Sequence, residues 1–355
     1  MGSENIAAVL HGVDDLRVQP WPLTGEPPDG CVRVAIKAVG ICGSDVHYWK
    51  RGRIGPFVVE QPMVIGHESA GTVAAVGKGV DSLRVGDRVA LEPGVPCCGH
   101  RHSREGRYNL DPAIRFFATP PIHGSLASLV DHPADWCYPL PAGVSHEEGA
   151  MCEPLSVGVH ACRRAGVSPG KRVAVMGAGP IGLVVLLAAH AFGADAVAVT
   201  DLKEQNLVLA RQLGASAALQ VSPDQQPADI ALALMAAADA PDGFDVVVDC
   251  AGFQQTMQTA LKSCMSGGKV VLVGMGQEEM QLGLGEACIR EVDILGSFRY
   301  CNTYPLCLSL LSSGRVDVKP LITHRFGFSA AEVLRGFDTA HRADATGAIK
   351  VMFNL

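Results

Sequence analysis

Between Val173 and Ala194 the chain carries no charged residue, and near the start of this apolar run stands Gly177-Ala-Gly-Pro-Ile-Gly182. By length alone the run could be a membrane-spanning helix. A Gly-x-Gly-Pro sequence interrupts helical hydrogen bonding, however, so the run divides into a short strand, a glycine turn and a buried helix. That division sets the pattern for everything from 171 to 298. Apolar runs at 173–176, 196–200, 217–221, 245–249, 269–273 and 293–296 alternate with helical segments, among them an Ala-rich stretch near 230–240. Parallel strands separated by helices predict an α/β unit with a doubly wound sheet.

The turn has a chemical reading in this context. Gly177, Gly179 and Gly182, with Pro180 between them, follow a predicted strand, open a predicted helix and precede an acid, Asp201, at the end of the next strand. Glycines at that spacing permit a tight turn and close backbone approach to a pyrophosphate, and the helix N-terminus offers unpaired N–H groups to it. A carboxylate at Asp201 accepts hydrogen bonds from ribose hydroxyls and repels a 2′-phosphate, which predicts NAD rather than NADP. Lys203 stands close by and opposes that preference.

The chain of 355 residues is long for one core and suggests two domains. Before residue 171 the pattern is different. Short β runs at 6–10, 16–18, 32–36, 71–76, 85–91, 127–130 and 136–138, separated by Gly- and Pro-rich turns, predict a small barrel. Residues 92–125 read as a loop-rich lobe. Helical periodicity begins at Ser145, with Glu147 and Glu148 in a first turn. A second helix starts near Glu153-Pro154. After 299 the chain shows strands at 318–326 and 348–353 with a helix between. The expected division is 1–153 with 299–355 as one domain and 154–298 as the other.

Composition excludes several classes. With 48% hydrophobic and 18% charged residues the chain reads as globular, and a net charge of -7 gives no basic surface for nucleic acid. Twelve cysteines, irregularly spaced and without a secretory leader, read as free thiols in a reducing cytoplasm. Met1-Gly2 lacks the Ser or Thr at position six that a myristoylation signal wants.

A second constellation lies between Gly40 and Gly71. Cys42, His67 and Glu68 bring a thiolate, an imidazole and a carboxylate into a glycine-framed stretch, and these are donors that zinc takes. Singly, each reads as a packing residue or a solvated charge. Glu153 adds a carboxylate that either ligates the metal or holds its water. A metal with three protein ligands and one open position lowers the pKa of an alcohol, whose conjugate base can give hydride to a nicotinamide. Ser44 and His47 are placed to relay the proton to solvent, with a surface role as the alternative for His47.

The sequence resembles the zinc-containing medium-chain dehydrogenases, and within them the sorbitol and xylitol (polyol) branch. The resemblance covers essentially the whole chain. It rests on Gly40-Ile-Cys-Gly-Ser-Asp-Val-His-Tyr-Trp49, Gly-Arg-Ile-Gly at 52–55, Gly-His-Glu at 66–68 and Gly-Arg-Tyr-Asn-Leu at 106–110. Glu-Pro-Leu-Ser-Val-Gly at 153–158, the glycine turn at 177–182 and Phe-Arg-Tyr at 298–300 complete it. It implies a GroES-like β-barrel catalytic domain, a Rossmann domain and reversible oxidation of a polyol to a ketose. One catalytic zinc per subunit is implied on Cys42, His67 and Glu68, with Glu153 at the metal's water and the substrate. Tyr48, Arg299 and Tyr300 match positions that contact the polyol, and their phenols and guanidinium suit several hydroxyls. Ile181, Val273, Gly274, Met275, Ser297, Phe298 and Arg299 match positions along the NAD channel. The resemblance also implies a homotetramer; the sequence itself supports only self-association near 285–300.

Two departures stand out. Many relatives hold a structural zinc on four cysteines spaced C-x2-C-x2-C-x7-C, and Cys97, His100, Ser103 and Asp111 occupy the matching positions here. Serine is a poor zinc ligand, so no structural zinc is expected, the alternative being a site on Cys98, His100 and His102. Asn206 stands where relatives often have an arginine beside the adenosine ribose. The rival functions are a same-family dehydrogenase for threonine, a vicinal diol or a sugar acid, and a zinc-free nucleotide-binding relative.

Overall fold

A computed structural model describes residues 5–23, 25–97 and 99–355. Met1, Gly2 and Cys98 lie outside them, and with them the myristoylation reading and part of the alternative second metal site. The chain divides into two compact units. The first holds Met1–Glu153, Tyr304–Gly314 and Val318–Leu355; the second holds Pro154–Thr303 and Arg315–Asp317. One crossing falls between Glu153 and Pro154. The return comes at Tyr304 rather than at 299, because residues 299–303 continue from the last strand of the second unit.

The first unit is built on a seven-stranded sheet. Its path runs Cys137–Pro139, Arg88–Leu91, Glu68–Val76, Cys31–Gly40, Lys350–Asn354, Ile322–Gly327. Cys31–Gly40 is long enough to serve two partners on one side: its first half pairs with Leu129–Pro133 and its end with Lys350–Asn354. Alternating apolar residues of these strands, Val34, Ile36, Val73, Val89 and Phe353 among them, bury one face against Phe337 of the helix Ala330–His341. Two expected strands are shorter than read. Gly86 takes φ +95°, so 85–87 is a turn before Arg88–Leu91, and Lys319–Leu321, which contains Pro320, forms a 3-10 turn before Ile322–Gly327.

The second unit is the doubly wound sheet. Its six strands are parallel in the order Ala217–Gln220, Ala196–Asp201, Arg172–Met176, Phe244–Asp249, Cys264–Leu272, Asp293–Gly296. The order reverses between Arg172–Met176 and Phe244–Asp249, where such sheets open a crevice at their carboxyl ends. The glycine turn lies at the end of Arg172–Met176, the first strand of the unit.

A polar network is buried in the first unit at the end of Arg88–Leu91. The Glu92 side chain, 0% exposed, accepts hydrogen bonds from the Tyr108 hydroxyl at 2.5 Å and the Tyr138 hydroxyl at 2.9 Å. Burial drives its carboxyl from 4.5 up to about 7, against the pull of the two phenols. A folded pKa above the unfolded one makes the stabilising contribution complete below pH ~4.5 and lost as the pH rises through 7. A shift of this size corresponds to about 3 kcal/mol. Glu92→Gln stays neutral, so its melting temperature relative to the parent chain should be higher at pH 8 than at pH 5. Equal offsets at the two pH values, measured by thermal unfolding, would show that Glu92 does not carry this dependence.

Candidate metal and nucleotide sites

Cys42 lies two residues beyond the strand Cys31–Gly40 and caps the helix Gly43–Arg51. His67 and Glu68 lie where the chain enters Glu68–Val76, beside it in the sheet. The side-chain donor atoms of Cys42, His67 and Glu68 all fall within 4.8 Å of one another. Among the described residues this is the group of three or more so placed, and Glu153 is not in it.

What holds the three together is a fourth residue that the sequence did not single out. Asp45, 1% exposed in the first turn of the helix, accepts from the Cys42 N–H at 3.0 Å and from the Gly66 N–H at 3.1 Å. Its Oδ1 also stands 3.5 Å from His67 Nδ1, which has no hydrogen bond of good geometry. A buried carboxylate behind one ring nitrogen is the usual support of a metal-binding histidine, whose other nitrogen then faces the ion. Burial pulls the imidazolium down, but the charges of Asp45 and Cys42 outweigh it and hold its pKa well above the ordinary value. The donor types, their spacing and this backing carboxylate fit zinc.

Glu68 is 1% exposed and both of its oxygens meet the ammonium of Lys350, at 2.6 and 2.7 Å. Lys350 also donates to the Ile41 carbonyl at 3.0 Å. Burial lowers its pKa, and the charges of Glu68 and Cys42 more than reverse that. Sequence reading missed this residue. The signal was present, since Lys350 is a lone charge inside the apolar strand Ala348-Ile-Lys-Val-Met-Phe353.

The expected relay and substrate residues of this unit sit on one helix. Ser44 and His47 are half-buried and one turn apart, and Tyr48 is 2% exposed. Burial, with Arg51 nearby, lowers the His47 pKa. Glu153, 5% exposed, stands in the first turn of Cys152–Ala165, and its charge acts on Lys350 and Glu92.

In the second unit Gly177 takes φ +97°, and a Cβ at Gly182 would stand 1.8 Å from the Gly177 carbonyl oxygen. Gly179 faces open space, as a backbone approached by a ligand should. Pro180 is at the start of the helix Pro180–Ala191, with Ile181 after it. Asp201 is bound by the Ala178 N–H at 2.7 Å, the Lys203 N–H at 2.8 Å and Asn206 Nδ2 at 3.3 Å. Asn206 therefore orients the acid. Beside it a cavity of about 390 Å³ is lined by Leu202, Gln220, Val221, Ser222, Pro223 and Gln225, residues that the sequence did not mark. Val273 and Gly274 donate to the Asp249 carbonyl, both at 2.9 Å, and Met275 is exposed. Ser297, Phe298, Arg299 and Tyr300 follow the last strand. Arg299 takes φ +50° with its guanidinium 4.9 Å from the Phe298 ring centre. Arg164 and Arg163 brace this turn through the Gly296 and Asn302 carbonyls, at 2.9 and 2.6 Å.

Asp111 joins the Cys97 and Ser103 positions, with His100 Nε2 3.9 Å from its Oδ1. Asp111 accepts from the Cys97 N–H at 2.9 Å, the Ser103 hydroxyl at 2.6 Å and the Ala113 N–H at 2.9 Å.

Known proteins carry both halves of this arrangement. The family profile described as alcohol dehydrogenase GroES-like domain matches residues 28–142, and that described as zinc-binding dehydrogenase matches 180–313. The chain belongs to this family of zinc-binding dehydrogenases and is an oxidoreductase. It is 56% identical to a sorbitol dehydrogenase of Arabidopsis thaliana, over 99% of this chain and 96% of that protein. It is 53% identical to an L-idonate 5-dehydrogenase of Vitis vinifera, over 100% and 96%. An oxidoreductase of unknown specificity from Escherichia coli has the same fold, with a TM-score of 0.92, 35% identity and 99% of both chains covered.

Asp45 and Cys42 raise the His67 pKa, and a proton held on the ring must leave when a metal binds. Zinc uptake by the stripped chain should therefore release protons at pH 7 and strengthen as pH rises, as calorimetry in buffers of different ionisation enthalpy will measure. Asp45→Asn should reduce that release; an unchanged count would contradict the role given to Asp45.

Proposed function

We propose that the chain is a zinc- and NAD-dependent polyol dehydrogenase, oxidising a sugar alcohol such as xylitol or sorbitol reversibly to the ketose by hydride transfer. The observation that carries this is the Cys42, His67 and Glu68 donor group on the same chain as the glycine turn and Asp201. Similarity to sorbitol dehydrogenases over the full length supports the substrate class. The 53% identical L-idonate enzyme keeps a sugar acid as the second reading.

When bound, zinc supplies Lewis acidity to the reacting hydroxyl. Cys42, His67 and Glu68 hold it. Glu153 lies outside that group, so its role is to hold water and orient the substrate. Ser44 and His47, on one helix face, carry the proton of that hydroxyl toward solvent, and a His47 with a lowered pKa is neutral and able to accept it. Tyr48, Arg299 and Tyr300 bond the remaining hydroxyls. Gly177, Gly179, Pro180, Ile181 and Gly182 receive the pyrophosphate of NAD, Asp201 its ribose, and Val273 to Met275 with Ser297 to Arg299 line its channel. Asp201, fixed by three donors, supports NAD over NADP.

One zinc per subunit is proposed, with no structural zinc, because the Asp111 carboxylate already gathers the matching positions by hydrogen bonds. Buried thiols outside any disulfide at Cys137, Cys152, Cys162 and Cys264 suit a reducing cytoplasm. Among the described residues no helix is long and apolar enough to cross a membrane. A homotetramer is supported by the exposed Ile289 and Ile294 beside and on the edge strand Asp293–Gly296.

The purified chain should contain one zinc by elemental analysis, and chelation should abolish oxidation of xylitol and sorbitol while NAD still binds. Turnover untouched by zinc removal would sink the proposal, and faster turnover of L-idonate than of any polyol would replace the substrate class. Glu153→Gln should depress kcat by about 100-fold and leave NAD affinity unchanged. Asp201→Ala should raise the relative efficiency with NADP; a ratio that does not move would count against Asp201 as the selecting residue.

A further inference from the structure

The strand order of the first unit delivers an ammonium to the metal donors. Glu68 lies opposite Gly40, and Gly40 lies opposite Met352 on its other side. Alternate residues of a strand share a face, so Lys350 projects on the face of Met352. Between the two flanking strands Gly40 presents no side chain. A Cβ there would stand 2.1 Å from Glu68 Oε2. Through this gap Lys350 Nζ reaches both Glu68 oxygens, and its third hydrogen bond goes to the carbonyl of Ile41, the residue before Cys42.

The pair is not explained by stability. Lys350 is 2% exposed and Glu68 1%, and at such burial the cost of desolvating two charges offsets most of their attraction. An apolar residue would fill the same space more cheaply. The ammonium instead has a consequence for Glu68 as a donor. A carboxylate has lone pairs enough for an ammonium and a cation together, but charge shared with Lys350 is withheld from a metal.

We infer that Lys350 is a positioning residue that sets the strength of Glu68 as a metal ligand. With Lys350 in place, Glu68 would be a weaker donor than Cys42 and His67 to a metal held by all three. This rests on the zinc reading of the site, and its test separates the two.

The experiment follows release of zinc from the loaded protein to a chromogenic chelator. If Lys350 only supports the structure, removing it loosens the site and zinc leaves faster. If it restrains Glu68, the freed carboxylate grips the metal and zinc leaves more slowly. Lys350→Met should slow release by about 10-fold, the scale of changes beside metal ligands. Lys350→Arg should keep the parental rate, and Glu68→Gln added to Lys350→Met should abolish the slowing. The visible spectrum of the cobalt-substituted protein should shift in Lys350→Met and not in Lys350→Arg. Should Lys350→Met not fold, Lys350→Gln, a neutral donor, replaces it and should slow release in the same direction. Release as fast as or faster than in the parent overturns the role of Lys350. A parent chain that takes up no zinc overturns the metal reading itself.

Discussion

The metal site depends first on one buried carboxylate. Asp45 ties the backbone of Cys42, where a strand turns into a helix, to the backbone of Gly66, where the chain enters the neighbouring strand. Two segments that approach the sheet separately are thereby fixed at the residues that carry the donors. An aspartate without water around it must find such partners, since burying it unpaired costs several kcal/mol. The same need that makes Asp45 expensive makes the geometry of Cys42 and His67 definite.

Opposite charges are distributed around this centre with some economy. Asp45 stands behind His67, and Lys350 stands behind Glu68. Two of the donors thus have a buried counter-charge behind them, which orients the His67 ring and draws on the charge of the Glu68 carboxylate. In the second unit the logic is steric. Gly177 and Gly182 touch each other across the turn, and Gly179 is left bare.

Features set by local pattern were legible in the sequence. The six parallel strands, the glycine turn and the Cys42, His67 and Glu68 set each announce themselves within a few residues or by a fixed spacing. The two short strands were overread because Gly86 and Pro320 act through backbone conformation, which an apolar run masks. The support of the site was harder to see. Asp45 carries no signal of its own within Gly40–Trp49, because its partners at Gly66 and His67 come from the segment that enters Glu68–Val76. Lys350 was read as one residue of a strand, for it meets Glu68 across 282 positions of sequence. Asp111 matches a cysteine position in the spacing, and its three hydrogen bonds to Cys97, Ser103 and Ala113 cannot be read from that match. The return of the chain at Tyr304 rather than 299 was likewise invisible, because no composition change marks where a backbone leaves one sheet for another.

The contact between Glu68 and Lys350 has a consequence in time as well as in space. The thiol, the imidazole and the carboxylate are all present once the first quarter of the chain has been synthesised, yet the ammonium that restrains the carboxylate arrives only with the strand Lys350–Asn354. Contacts of such long range form late. The three donors can therefore gather before Lys350 reaches Glu68, and the pairing of Lys350–Asn354 with Cys31–Gly40 is what brings the two together.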